Sequence, residues 1–112
     1  MSLSVHPADG PAAGEVRWVE DATGPLLVLT GRIDRETVRR FRLLVPPASW
    51  PARADLSAVT TLDVAGLELL VHLARKPART GSRLELLDVP ERLRPAIERA
   101  GLSQLLPRPA GS

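Results

Sequence analysis

Residues 55 to 66 read Asp55-Leu56-Ser57-Ala58-Val59-Thr60-Thr61-Leu62-Asp63-Val64-Ala65-Gly66 and run straight into Leu67-Glu68-Leu69-Leu70-Val71-His72-Leu73. Asp63 has the chemistry of a helix N-cap, because a carboxylate before an apolar periodic run can accept hydrogen bonds from the free amides of the first turn. Over 64–79 the residues Val64, Leu67, Leu70, Val71 and Ala74 recur at helical spacing and predict an apolar stripe, leaving Glu68, His72 and Lys76 on the polar face. Pro77 predicts a kink or an early stop, and Thr80-Gly81-Ser82 a turn. Upstream, Ala52 to Leu56 predicts a short strand whose end delivers Asp55 and Ser57 to the rim of a sheet. Downstream, Arg83-Leu84-Glu85-Leu86 alternates apolar and polar and predicts another strand. A strand, a crossover helix and a strand make a parallel, right-handed βαβ unit.

Working outward from that unit, Glu15 to Glu20 shows an imperfect period of two, with Val16 and Trp18 on the apolar side. Asp21-Ala22-Thr23-Gly24 supplies turn chemistry, and Leu26-Leu27-Val28-Leu29 has the unbroken apolarity of a strand buried on both faces. The two strands predict a hairpin. Gly31-Arg32-Ile33-Asp34 then leads into a helix over 35–45, capped by Asp34, with Val38, Phe41 and Val45 on one face and Arg35, Arg39 and Arg42 on another. Pro46-Pro47 ends it, since neither proline has an amide to donate. Pro90 predicts the first turn of a third helix in which Leu93, Ile97 and Ala100 align before Gly101; Leu102, Leu105 and Leu106 return to the core. The order β, β, α, β, α, β, α predicts an α/β fold: a small mixed sheet with helices packed mainly on one side.

A chain of 112 residues with 44% hydrophobic content is sized for one domain with an aliphatic core, its aromatics being Trp18, Phe41 and Trp50. Residues 15–106 are expected to form that domain. The Pro- and Gly-bearing segment 1–14 and residues 107–112 are expected to be tails, the first of them disordered. With no cysteine there is no disulfide, thiolate metal site or cysteine nucleophile, which fits a reducing compartment. No apolar run has the length of a signal peptide or a membrane span, so a cytoplasmic protein is expected. A net charge of +2, without aromatics interleaved among the fourteen Arg and one Lys, argues against nucleic acid as a partner.

Enzyme chemistry finds little raw material. His6 lies in the N-terminal segment and His72 about two and a half turns from Asp63, with no second metal ligand at i+3 or i+4, where Arg75 and Lys76 stand. Ser57, Thr60 and Thr61 stand near acids but have no neighbouring base, and no glycine-rich phosphate loop is present. No catalytic residue, metal site or cofactor is therefore expected. Asp34, Asp55 or Asp63 would have to converge with His72 on one pocket for an enzyme reading to stand.

Residues 26 to 106 resemble the STAS domain family, named for sulphate transporters and anti-sigma factor antagonists. Gly31-Arg32-Ile33-Asp34 followed by Thr37 is similar to the family's Gly-Glu-Leu-Asp-x-x-Thr, and Asp55-Leu56-Ser57 to the end of its central strand. Asp63-Val64-Ala65-Gly66-Leu67 is similar to its Asp-Ser-Ser-Gly-Leu switch, and Gly101-Leu102 to the segment after its third helix. In phosphorylatable members the resemblance implies a kinase that modifies the serine before the glycine and so breaks the antagonist's complex with its anti-sigma factor. That residue is Ala65 here, and the preceding hydroxyl position is Val64. The resemblance implies a non-enzymatic protein-binding module locked in an unmodified-like state. Its partner-binding face is expected at Asp34, Thr37, Ser57, Thr60, Thr61, Asp63, Val64, Ala65, Gly66, Leu67 and Glu68. Two partners fit the resemblance. A histidine-kinase-like anti-sigma factor is the leading expectation, antagonists being the commoner stand-alone form. The alternative is the ATPase of a lipid-asymmetry ABC transporter, whose small STAS accessory subunit Asp55-Leu56-Ser57, residues 66–73 and Leu106-Pro107-Arg108 resemble.

Overall fold

Strand β1, Glu15–Asp21, pairs antiparallel with β2, Gly24–Ile33, from Glu15 opposite Thr30 to Asp21 opposite Gly24. The turn closes because the Asp21 carboxylate accepts from the backbone amides of Thr23 (2.8 Å) and Gly24 (3.2 Å), while Gly24 takes a φ of +133° that other residues avoid. These coordinates are a computed structural model, and they describe residues 14–106. Of the tails expected at 1–14 and 107–112, residues 1–13 and 107–112 lie outside the described residues. Gly14 does not: it is buried, and a Cβ there would stand 1.8 Å from the Arg32 carbonyl oxygen.

β2 continues into helix α1, Arg35–Leu44, and a 3-10 turn at Pro47–Ser49 leads to β3, Arg53–Leu62. Helix α2, Val64–Arg79, crosses to β4, Glu85–Leu87; a 3-10 turn at Glu91–Leu93 and helix α3, Arg94–Arg99, follow. The sheet order is β1-β2-β3-β4, with β2–β3 and β3–β4 parallel, so the expected α/β architecture with a mixed sheet and three helices is present. The core is aliphatic, with Leu27, Leu29, Ile33, Leu56, Val59, Leu69, Leu70, Leu73, Leu84 and Ile97 fully enclosed. Each such side chain contributes about 1.5–3 kcal/mol by leaving water. Leu102, Leu105 and Leu106 close over it as expected.

Three local expectations need correction. β3 does not stop at Leu56 but runs ten residues, past two register shifts against β2. Val28 faces Asp55 and Thr30 faces Ala58, so Leu29 opposes both Leu56 and Ser57; this bulge breaks the alternation that marks a strand in sequence. Asp55 and Ser57 therefore lie along the strand and not at its end. The second correction concerns α2, whose inward residues are Gly66, Leu69, Leu70, Leu73 and Pro77, whereas Val64 is 71% exposed. Pro77, expected to stop or kink this helix, lies inside it, and the helix continues to Arg79. Third, Trp18 is 42% exposed on the strand face expected to be apolar, its indole N–H donating to the Ser49 carbonyl at 3.2 Å.

Candidate functional site

β2 and β3 end together. Their register sets Ile33 opposite Leu62, so the next residues, Asp34 and Asp63, stand side by side at one rim, each opening a helix. Asp34 accepts from the Thr37 backbone amide at 3.0 Å, from the Thr37 hydroxyl at 2.8 Å, and from Arg32 Nε at 3.2 Å. These donors favour the carboxylate form: the Thr37 amide first, then its hydroxyl, then Arg32 hold the Asp34 pKa at about 2. Thr37 is buried at 3% exposure, its hydroxyl shared between Asp34 and the Arg32 carbonyl, so it acts on the rim through Asp34.

Asp63 caps more simply, with one carboxylate oxygen accepting from the Ala65 and Gly66 amides at 2.9 and 3.2 Å. Its own amide donates to the Ile33 carbonyl at 3.3 Å. That same carbonyl explains Gly66: a Cβ there would lie 2.7 Å from the Ile33 oxygen and 2.9 Å from the Leu62 side chain. The glycine thus lets the first turn of α2 rest on the end of β2. With Gly66 pressed inward, Val64 and Glu68 face solvent, and Ala65 and Leu67 are half-buried beside them. Thr60 and Thr61 are both exposed on the preceding strand. Ser57 is exposed but lies six residues before Asp63, roughly 20 Å along the strand at about 3.3 Å per residue. The structure therefore gathers Asp34, Thr60, Thr61 and residues 63–68 at one rim and leaves Ser57 farther down.

β4 pairs only with residues 53–55 of β3, leaving the outer edge of 56–62 without a strand partner among the described residues. Arg92 covers part of it, donating to the carbonyls of Val59 (2.6 Å) and Thr60 (3.4 Å). No pattern in the sequence links Arg92 to β3, since the contact spans more than thirty residues. At the opposite end of the hairpin Arg53 pairs with both oxygens of Asp21 at 3.0 Å, which holds the Asp21 pKa at about 2.

Residues 17–107 match the family model described as Mlab, STAS domain. The chain belongs to the STAS domain family. No curated protein matches it. STAS domains are in general non-enzymatic binding modules, and the rim of this one offers an apolar helix start flanked by hydroxyls. Neither Asp34 nor Asp63 meets His72, whose imidazole instead contacts Arg42 across from α1. Burial first, then the cations Arg42 and Arg75, push the His72 pKa below its ordinary value, leaving Nδ1 as an acceptor for the guanidinium. Among the described residues no cluster of three or more His, Cys, Asp or Glu could hold a metal, and no helix is long and apolar enough to cross a membrane.

Proposed function

We propose that this STAS domain is a non-enzymatic docking module whose contact face is built by Val64, Ala65, Leu67 and Glu68, flanked by Thr60, Thr61 and Asp34. Asp63, Gly66 and Thr37 shape that face from beneath. Val64 carries the reading. At 71% exposure in the first turn of a capped helix it stands beside half-buried Ala65 and Leu67, and the three together supply the apolar contact that a partner would cover, Gly66 being the residue turned inward. Ser57 lies outside this contact face.

The module is unswitched at the position where phosphorylatable relatives carry their serine. Ala65 has no oxygen to modify and Val64 has none either. A phosphoryl group there would bring about −1.5 to −2 charges onto an apolar surface and repel a partner fitted to a neutral one. Its absence makes binding constitutive, with control resting on partner or abundance.

Of the two partner classes, the ATPase of a lipid-asymmetry ABC transporter is favoured. Asp55-Leu56-Ser57, residues 66–73 and Leu106-Pro107-Arg108 support the accessory-subunit branch of the resemblance, and a docking face that takes no phosphate at position 65 suits a stable subunit. The rival is a histidine-kinase-like anti-sigma factor, supported by the retained Asp63 cap and Gly66 seat. Co-purification from the native cell separates them by the identity of the protein recovered. Leu67→Asp and Ala65→Asp are expected to abolish recovery while leaving the circular dichroism spectrum unchanged; undiminished recovery with either would place the interface elsewhere.

A further inference from the structure

On the other end of α2 lies a groove of about 420 Å³ that the docking face does not use, lined by Arg42, Trp50, His72, Arg75, Lys76 and Arg79 among others. Counting about 1.5 Å per residue, Arg75 is roughly 18 Å along the helix axis from Asp63. Arg42 arrives from the last turn of α1, its guanidinium 5.5 Å above the Trp50 ring and in contact with His72 Nδ1. Trp50 is itself fixed, stacked on Phe41 at 5.6 Å and donating to the Val45 carbonyl at 2.9 Å. Lys76 Nζ is tied to the Ala48 carbonyl at 2.7 Å. Two of the cations are thus held in place with most of their donors unspent.

The charge here is not balanced from within. Elsewhere Arg17, Arg32, Arg39, Arg40 and Arg53 each stand within ion-pair distance of a carboxylate. No carboxylate lines the groove, and among the described residues no ion pair engages Arg42, Arg75, Lys76 or Arg79. Helix ends supply part of an answer, since Arg42 lies in the last turn of α1 and Lys76 and Arg79 in the last turn of α2. Each such end offers about half a negative charge, so two ends offset about one of four positive charges. About three remain around one groove of about 420 Å³.

We propose that this groove binds a multiply charged phosphoryl group, of the diphosphate class, with Arg42, Arg75 and Arg79 as forked donors and Lys76 as a point charge. Guanidinium forks match phosphate oxygens in pairs, which suits three arginines converging on one small volume. His72 forms part of the wall. It faces Arg42 from α1 and Arg75 and Glu68 on its own helix, and an anion beside it favours the charged imidazole.

Calorimetric titration of the full chain with pyrophosphate is expected to show saturable, salt-sensitive binding, and NMR titration a raised His72 pKa in its presence. Arg75→Gln/Arg79→Gln, both at solvent-facing positions, is expected to weaken binding at least about ten-fold by removing two charge-assisted contacts. Arg39→Gln/Arg40→Gln, outside the groove, is expected to leave it within about two-fold. A parallel arm uses vesicles of phosphatidylcholine with and without an anionic lipid whose headgroup is a diphosphate. Sensitivity of anionic-vesicle binding to the Arg75→Gln/Arg79→Gln change, without a pyrophosphate response, assigns the phosphoryl group to a lipid headgroup; a pyrophosphate response alone assigns it to a soluble ligand. Absence of both, retention of either in the double variant, or equally tight capture of an acidic peptide without phosphate overturns the proposal.

Discussion

The two strand-to-helix junctions at the rim begin alike and are completed in opposite ways. Each ends a parallel strand, places an aspartate as cap and opens a helix, yet the third helical residue is Thr37 in one and Gly66 in the other. Thr37 turns its hydroxyl back onto the cap and onto the Arg32 carbonyl, so the junction of α1 is saturated from within. Gly66 contributes no side chain and lets α2 approach the Ile33 carbonyl, so the neighbouring positions 64, 65, 67 and 68 turn outward to varying degrees. One junction spends its polar atoms on structure; the other leaves part of its first turn exposed. The same cap chemistry therefore serves a closed joint and an open one, and the residue three places on decides which.

Making the second junction resemble the first should have the largest effect. Gly66→Thr drives a Cβ to 2.7 Å from a backbone oxygen that cannot move without disturbing the Asp63 amide, so a loss of about 2–3 kcal/mol is expected in urea unfolding. Stability within about 0.5 kcal/mol of wild type would show that α2 can shift off β2. The reverse change is milder. Thr37→Val keeps the shape, removes one buried hydroxyl and should cost about 1–2 kcal/mol.

Thr37→Val also has a signature in acid. The folded-state pKa of Asp34 is about 2, below the ordinary carboxylate value, so its contribution is present above about pH 4 and is lost as pH falls toward 2. Asp21, held down by Arg53, titrates in the same window with the same sign. The variant should flatten the Asp34 part of this acid loss and raise that residue's pKa in an NMR titration. An unchanged Asp34 titration would show that the threonine hydroxyl is not what holds the carboxylate down.

Asp63→Ala, which removes a cap satisfied only by two amides, is expected to cost about 1 kcal/mol in the same unfolding measurement. Smallest in stability is Ala65→Ser, at a half-exposed helix position, expected to stay within about 0.5 kcal/mol. Its consequence is chemical: incubation with a kinase of the phosphorylatable relatives should label the variant and not the wild type. Stoichiometric labelling of wild-type protein would place a modified hydroxyl elsewhere, Thr60 and Thr61 being the exposed ones nearest.

Much of this rim was legible before any coordinates. Both caps, the start of α2 and the returning Leu102, Leu105 and Leu106 follow from local rules, because N-cap chemistry and helical periodicity act over a few residues, whereas the continuation of α2 through Pro77 does not. β3 was legible only to Leu56, since the bulge at Leu56–Ser57 and the paired exposure of Thr60 and Thr61 erase the alternation on which strand reading depends. The groove left no sequence signal at all. Arg42 and His72 are thirty residues apart, each on the polar side of its own helix, and only the packing of α1 against α2 makes them neighbours.

The chain by itself determined that Asp63 would start a helix and that no hydroxyl would follow it, because both are properties of residue type within one turn. Which face of that helix would be covered was decided only by tertiary structure. Helical periodicity favoured Val64, Leu67, Leu70, Val71 and Ala74; the packed molecule buries Gly66, Leu69, Leu70, Leu73 and Pro77, keeps Leu67, Val71 and Ala74 partly buried against the core, and leaves Val64 exposed. The cause is the Ile33 carbonyl at the end of β2, which admits a glycine and nothing larger, and so turns the helix to leave Val64 in the open.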